Sequence, residues 1–298
     1  MKLKVPATTT NFGAGFDTFG LAVELYNVFE INESDKFGVE VEGEGKDLPR
    51  GEDNLLVRVY KRVCEILGVP IRPFFLRQKN EVPVARGLGS SATAIVGGIE
   101  IALRMGGERL TTEEKLKIAY EFEPHPDNLL PAMVGGFVVC ATDGDTLSFI
   151  RMSFPKDLTL VFAVPDFKLS TEEARKVLPE SVSLKDAVFN LQRGALFVVA
   201  LKEKRYSVLK ESVRDRLHQR ARAHLVQGFE RVLEAGYSAG AYAVFLSGAG
   251  PTVCALSRAE LARKVGESMR EGFAEVGTKA RVLCLRASEL GAHWVINS

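Results

Sequence analysis

The stretch Pro83-Val84-Ala85-Arg86-Gly87-Leu88-Gly89-Ser90-Ser91-Ala92-Thr93 constrains this chain more than any other, because its core is built to hold phosphate. Glycines at 87 and 89 let the backbone take positive φ and approach an anion closely. Ser90 and Ser91 add hydroxyl donors where an apolar helical pattern begins near Ala92, so backbone N–H groups, the positive end of a helix dipole and two hydroxyls converge. Such a site surrounds a di- or triphosphate, and Ser91 can place an oxygen on the Mg²⁺ that accompanies it. The plain alternative is a Gly-rich turn feeding a core helix. A Walker A loop is excluded, since Gly-x-x-x-x-Gly-Lys-[Ser/Thr] does not occur. Two further Gly-rich polar loops each adjoin a strand-like run, one spanning residues 5–20 and the other Leu246-Ser247-Gly248-Ala249-Gly250-Pro251-Thr252. Three such loops, far apart in sequence, point to one composite site.

In this order and spacing the three segments resemble the motifs of the small-molecule kinase superfamily of galactokinase, homoserine kinase, mevalonate kinase and phosphomevalonate kinase (GHMP kinases). Within it the homoserine kinase branch is the nearest likeness. Glu123-Pro124-His125-Pro126-Asp127-Asn128-Leu129-Leu130-Pro131 is similar to that branch's Glu-Gly-His-Pro-Asp-Asn-Val-Ala-Pro, with Pro124 standing where Gly is usual. Ser170-Thr171-Glu172-Glu173-Ala174-Arg175-Lys176-Val177-Leu178-Pro179 resembles Ser-Thr-x-x-Ala-Arg-x-x-Leu-Pro, and Asp215-Arg216-Leu217-His218-Gln219-Arg220-Ala221-Arg222 is a third match.

Bulk properties agree with a small soluble substrate. At 298 residues the chain accommodates two domains, and 39 Lys plus Arg against 38 Asp plus Glu give a net charge of +1, with no basic run suited to nucleic acid. The longest apolar runs are far below the roughly 20 residues of a membrane helix and no signal pattern opens the chain, so no membrane association and a cytoplasmic location are expected. Cysteines 64, 140, 254 and 284 lack CxxC spacing and sit in apolar contexts, reading as reduced, buried thiols. His218 and His224 are not on one helix face, so a His-based metal site is not expected.

Strand-like segments are expected at 2–5, 23–31, 37–42 and 71–76, helices at 54–67, 92–105, 111–122 and 127–133, and strands at 137–141, 146–153 and 159–164. Helices at 171–178, 184–201, 218–235 and 258–276 alternate after that with strands at 241–246, 253–256 and 281–285. A Thr-x-x-Glu capping box opens the helix at 111. Strands followed by packed helices in two halves indicate an α+β architecture, not a doubly wound sheet, with a boundary near residue 153. The resemblance implies a two-domain GHMP kinase fold: a ribosomal-protein-S5-like ATP-binding domain at 1–152 and a ferredoxin-like α/β sandwich at 153–298.

The resemblance implies ATP and Mg²⁺ as cofactors and L-homoserine as the small-molecule substrate, phosphorylated on its side-chain hydroxyl in threonine biosynthesis. It assigns residues 83–93 to the nucleotide phosphates and Asn54 to the adenine, although a purely structural role for Asn54 is an equal reading. Glu123 becomes the Mg²⁺ carboxylate working with Ser91; Glu121, two residues away, is the rival ligand. Asn11, Asp17, His125, Asn128, Thr171, Arg175 and Arg222 form the implied homoserine site. There Asp17 faces the ammonium group, and the guanidinium forks of Arg175 and Arg222 grip the carboxylate, with Arg220 competing with Arg222. His125, Asp127 and Asn128 are the candidate catalytic group around the hydroxyl. Asp127 is the one nearby carboxylate able to serve as a base, and a structural or electrostatic role is the preferred reading, the hydroxyl proton passing to phosphate. Another GHMP-type kinase acting on mevalonate or a related acceptor, and a silent ligand sensor on the same scaffold, are the competing readings. The paired Asp17 and Arg175 argue against the first, the intact Ser91 and Glu123 against the second. A Rossmann site at Gly13-x-Gly15 fails because residues 21–31 look like a strand. A homodimer is left open.

Overall fold

A computed structural model describes residues 1–143 and 146–295. Two sheets organise these residues. The first comprises β1 (Lys2–Thr10), β2 (Phe19–Glu33), β3 (Gly38–Gly43), β4 (Phe74–Asn80), β5 (Phe137–Asp143) and β6 (Thr146–Met152), with β11 (His293–Trp294) added at the edge beside β1. On the edge away from β1, the long β2 serves two neighbours: its second half pairs with β4 over Asn27–Glu33 and its first residues pair with β5. Against this sheet pack α1 (Leu55–Leu67), α2 (Ser90–Gly106), α3 (Thr112–Ala119) and α4 (Pro126–Val134), closing a core of Val5, Phe29, Leu76, Tyr60, Ile95, Ile99 and Leu130.

The second sheet is four-stranded and antiparallel in the order β10-β7-β9-β8, from β7 (Leu158–Pro165), β8 (Ala243–Leu246), β9 (Val253–Arg258) and β10 (Ala280–Leu285). Its connections carry α5 (Thr171–Lys176), α6 (Leu184–Lys202), α7 (Leu209–Ser212), α8 (Gln219–Arg222), α9 (Phe229–Ser238) and α10 (Ala259–Ala274). One face is covered by α9 and α10 through Val232, Val265, Met269 and Phe273. The other face meets the first half of the chain in a phenylalanine cluster, with the ring of Phe12 4.8 Å from Phe245, 5.2 Å from Phe197 and 5.5 Å from Phe137. Burying several aromatic rings along this seam seats the segment after β1 against the second sheet.

The α+β expectation holds, and most elements lie within a few residues of their expected places. Four differ. The first strand does not end at Val5 but runs on through Thr10, with Thr8, Thr9 and Thr10 buried. The strand expected from 71 begins at Phe74, after Pro73, which cannot donate to a ladder. The single helix expected at 218–235 is broken: α8 and a 3₁₀ turn at Ala223–Leu225 are followed by extended Val226 and by Gly228 at φ 86°, which starts α9. The apolar spacing is continuous across the break, so periodicity alone misses it. Finally, residues after Leu285 cross back to the first sheet, where Ser288 N–H donates to Ala22 O (2.8 Å) and β11 pairs with β1. Of the cysteines, 64, 140 and 254 are buried as expected, whereas Cys284 is exposed because it lies on the edge strand β10.

Candidate active site

A cavity of about 480 Å³ opens where the three Gly-rich segments meet. Hydrogen bonds zip them together. Thr8 N–H donates to Leu88 O (3.1 Å), Ser247 Oγ donates to Gly87 O (2.6 Å) while standing 2.8 Å from Thr9 Oγ1, and Asn11 Nδ2 donates to Gly248 O (2.9 Å). The close approach explains two glycines. A Cβ at Gly87 would lie 2.2 Å from Ser247 O and one at Gly89 only 1.9 Å from Thr8 Oγ1, and both residues have φ near +70°.

Gly89 is the N-cap of α2 and leaves that terminus without a side-chain cap. The first N–H groups of the 17-residue helix are therefore free to face an anion, flanked by Ser90 and Ser91, whose hydroxyls have no partner among the described residues. Val84 through Ser91 line the cavity. Pro83, Ala92 and Thr93 do not: they are buried behind the loop, and Thr93 Oγ1 donates to Ser90 O and accepts from Asn27 Nδ2. The cavity continues from the loop into a slot walled by Leu48, Pro49, Leu55, Val84 and Gln78. Asn54 borders this slot, but its amide is committed. Oδ1 caps α1 by accepting from Leu56 N–H, and Nδ2 donates to Pro49 O and Gln78 Oε1.

Two acidic side chains anticipated as rivals separate cleanly. Glu123 lines the cavity with Oε1 2.5 Å from His125 Nδ1. Glu121 is turned outward and accepts two bonds from Arg62, at 2.7 and 3.2 Å. Ser91 and Glu123 offer the hard oxygen donors that suit Mg²⁺, and the unpartnered Ser91 hydroxyl is the observation that makes this pair fit. No group of three or more His, Cys, Asp or Glu suited to a metal occurs among the described residues.

The opposite end of the cavity is charged. Asp17, at φ 55° on the loop after β1, receives a bidentate grip from Arg175 on α5, at 2.7 and 3.1 Å. Asn11 shapes that loop by accepting from Asp17 N–H (3.0 Å). Arg222 is fully buried behind them. Its Nε donates to Ala174 O (3.0 Å), and one terminal nitrogen lies 3.2 Å from His218 Nδ1 and 3.3 Å from Gly248 O. Burial, then the neighbouring Arg175 charge, lowers its pKa to about 10, so it stays cationic at neutral pH. His218 is buried too and burial pushes its pKa down; with Nδ1 accepting from Arg222, Nε2 carries the proton and donates to Gly13 O (2.9 Å). Asp215 caps this turn by accepting from the N–H groups of Leu217, His218 and Gln219, and Gln219 Oε1 accepts from Leu246 N–H. The Asp215–Arg222 segment is thus a bracket that aims Arg222 at the cavity, while Arg220 is exposed outside it.

Between the phosphate loop and the charged end sit Asp127 and Asn128 at the start of α4. Asn128 Oδ1 accepts from Thr8 Oγ1 (2.7 Å), leaving its NH₂ for the cavity. Asp127 Oδ1 and Thr10 Oγ1 are buried with no partner. Burial first, and the Asp17 charge second, push the Asp127 carboxyl up to about 6.

Family models for the GHMP kinases N terminal domain and the GHMP kinases C terminal region match residues 54–136 and 197–275. The homoserine kinase of Aquifex aeolicus is 53% identical over 98% of both chains, and that of Persephonella marina 46% identical over 98% of this chain and 97% of its own. The chain belongs to the homoserine kinase family. A crystal structure of homoserine kinase from Cytophaga hutchinsonii superposes with a TM-score of 0.88 at 30% identity, covering 98% of this chain and 96% of that one. A mevalonate kinase crystal structure superposes at 0.71 with 16% identity, over 97% and 99%, which shows the shared fold alone.

The structure brings Asn11, Asp17, Ser91, Glu123, His125, Asp127, Asn128, Thr171, Arg175 and Arg222 together along this one cavity. Leu48, Pro49, Asp53, Leu55, Arg58 and Gln78 line it as well and carried no local signal, since they converge from the loop before α1, α1 itself and β4. Thr10 was hidden in a run read as loop.

Proposed function

We propose that the chain transfers the γ-phosphoryl group of ATP to the side-chain hydroxyl of L-homoserine, giving O-phospho-L-homoserine for threonine biosynthesis, and that it does so in the cytoplasm. The observation that carries this reading is the cavity's polarity: an uncapped helix N-terminus at one end, an Asp–Arg–Arg set at the other, and an unpartnered carboxylate oxygen between them.

The slot by Leu48, Leu55 and Val84 takes the adenine, with Asn54 holding the slot's backbone rather than reading the base. The N–H groups and hydroxyls at Ser90 and Ser91 hold the phosphates against the α2 dipole. Mg²⁺, held by Ser91 and Glu123, would neutralise charge on the β- and γ-phosphates. His125 orients the Glu123 carboxylate. At the other end the substrate replaces one ion pair with two: its ammonium takes Asp17, and its carboxylate takes Arg175 together with Arg222. The Phe16 ring backs these two arginines, its centre 5.5 Å from the Arg175 guanidinium and 5.2 Å from that of Arg222. Asn128 NH₂ then donates to the hydroxyl oxygen, whose other lone pair faces the γ-phosphorus; the hydroxyl proton is directed at a phosphoryl oxygen and passes to it during transfer, and Asp127 beside it acts through its charge. Mevalonate carries no ammonium and would leave Asp17 without its counter-ion.

The test is an acceptor series in an ADP-release assay. L-serine, one methylene shorter and anchored by the same charges, should hold its hydroxyl out of reach and lose orders of magnitude in kcat/KM. Turnover of serine equal to that of homoserine would refute the anchoring.

A further inference from the structure

Arg86 is the only cation in the phosphate loop, residues 83–93, and a guanidinium in such a loop is the natural partner of a phosphate. Its hydrogen bonds run elsewhere. Nε donates to Pro165 O (2.9 Å), Nη2 to Asp166 O (2.8 Å) and Nη1 back to Val84 O (3.0 Å), so the planar fork reaches from the loop to the chain leaving β7. Beside it Leu169 N–H donates to Ala85 O (3.0 Å), with Ala85 itself held at φ 55°. Residues 165–175 thus form a strap joined to the loop near one end. Towards the other end it carries Thr171 and Arg175, both lining the cavity.

The loop and the strap are each anchored to different parts of the fold. Thr8 N–H and Ser247 Oγ fix the loop through Leu88 O and Gly87 O, whereas the strap follows the second sheet, with Asp166 N–H donating to Lys279 O and Leu169 buried in the core under α9 and α10. Beyond the tie, at Pro165 and Asp166, lies a second cavity of about 340 Å³, so packing does not set the spacing of loop and strap there. The remaining link, Lys168 to Asp47 (2.9 Å), is an exposed ion pair that contributes little. We propose that Arg86 is a positioning residue for the amino-acid substrate: it fixes the strap against the phosphate loop and so sets how far Thr171 and Arg175 hold the acceptor from the γ-phosphate.

Resting on the reading of Arg175 as a homoserine anchor, this role requires a split in the kinetics. Arg86→Ala should raise KM for homoserine by about tenfold and leave KM for ATP within about twofold, because the loop keeps its own ties. Arg86→Lys keeps the charge, but one ammonium cannot span three carbonyls, so it should recover little of the loss. A phosphate ligand would behave in the opposite way, with KM for ATP raised and lysine restoring it. Hydrogen exchange over residues 166–176 needs no substrate, so it tests the tie separately from the identity of the acceptor: these amides should exchange at least about tenfold faster in both variants, with those of α2 unchanged. Unaltered exchange in the strap, a defect confined to ATP, or full rescue by lysine would each overturn the proposal.

Discussion

Replacing Asp127 by Asn should slow the enzyme and stabilise its fold, with the gain in stability set by pH. Asp127 Oδ1 is buried without a partner, and burial with the Asp17 charge raises the carboxyl from 3.8 to about 6. A carboxyl whose folded pKa lies above its unfolded value costs stability wherever the unfolded chain would ionise and the folded one resists. At about 1.36 kcal/mol per pKa unit the cost is about 3 kcal/mol, complete above pH 6 and fading as pH falls through 6 towards 4. Asn keeps the shape and removes the charge. Asp127→Asn should therefore be more stable than the wild type by up to about 3 kcal/mol at pH 8, a rise of several degrees in Tm, and nearly equal to it at pH 4. Urea titrations of both proteins at the two pH values measure this, with kcat followed in parallel and expected to fall by no more than about 10²-fold. Equal destabilisation at both pH values would show that the carboxylate is bonded in the native protein, refuting the account of it as a strained, substrate-facing group.

Glu123→Gln should reduce kcat more than Asp127→Asn does, and raising Mg²⁺ should partly restore it; a silent substitution would remove Glu123 from the metal. Arg175→Ala should raise KM for homoserine by more than tenfold with KM for ATP nearly unchanged, since losing a charge-assisted bidentate contact costs about 2 to 4 kcal/mol. Because Arg175 also lowers the Asp127 pKa, the same variant should move the acid limb of the pH–rate profile upward. Gly89→Ala, which places a methyl 1.9 Å from Thr8 Oγ1 at φ +69°, should raise KM for ATP at least tenfold; a kinetically normal variant would deny that the loop geometry matters.

How much was legible in the sequence depended on how local the physics was. The phosphate loop could be read because Gly87, Gly89, Ser90 and Ser91 carry their conformational demand and their donors within one turn. The capping box read at Thr111–Glu114 is equally local and forms; the structure adds a second one at Ser170–Glu173. Arg222 is different. Its aim depends on His218, Asp215 and the carbonyls of Ala174 and Gly248, which only the folded chain assembles, so spacing could not separate it from Arg220 and family resemblance had to supply it. The break inside 218–235 was masked because apolar residues keep helical spacing on both sides of Gly228. The short β11 carries too few residues for any period. Asp17 and Arg175 were each singled out as candidates, but their direct pairing follows from loop geometry at Asn11 that no pattern encodes.

The most direct test of the central claim is to identify the product. Incubated with Mg-ATP and L-homoserine, the protein should release ADP and O-phospho-L-homoserine in equal amounts, seen by ³¹P NMR as a phosphomonoester on a methylene carbon. 4-Hydroxybutyrate, which lacks the ammonium that Asp17 would receive, should give almost none. ADP without a phosphorylated amino acid, or phosphorylation of 4-hydroxybutyrate or mevalonate as fast as of homoserine, would contradict the account.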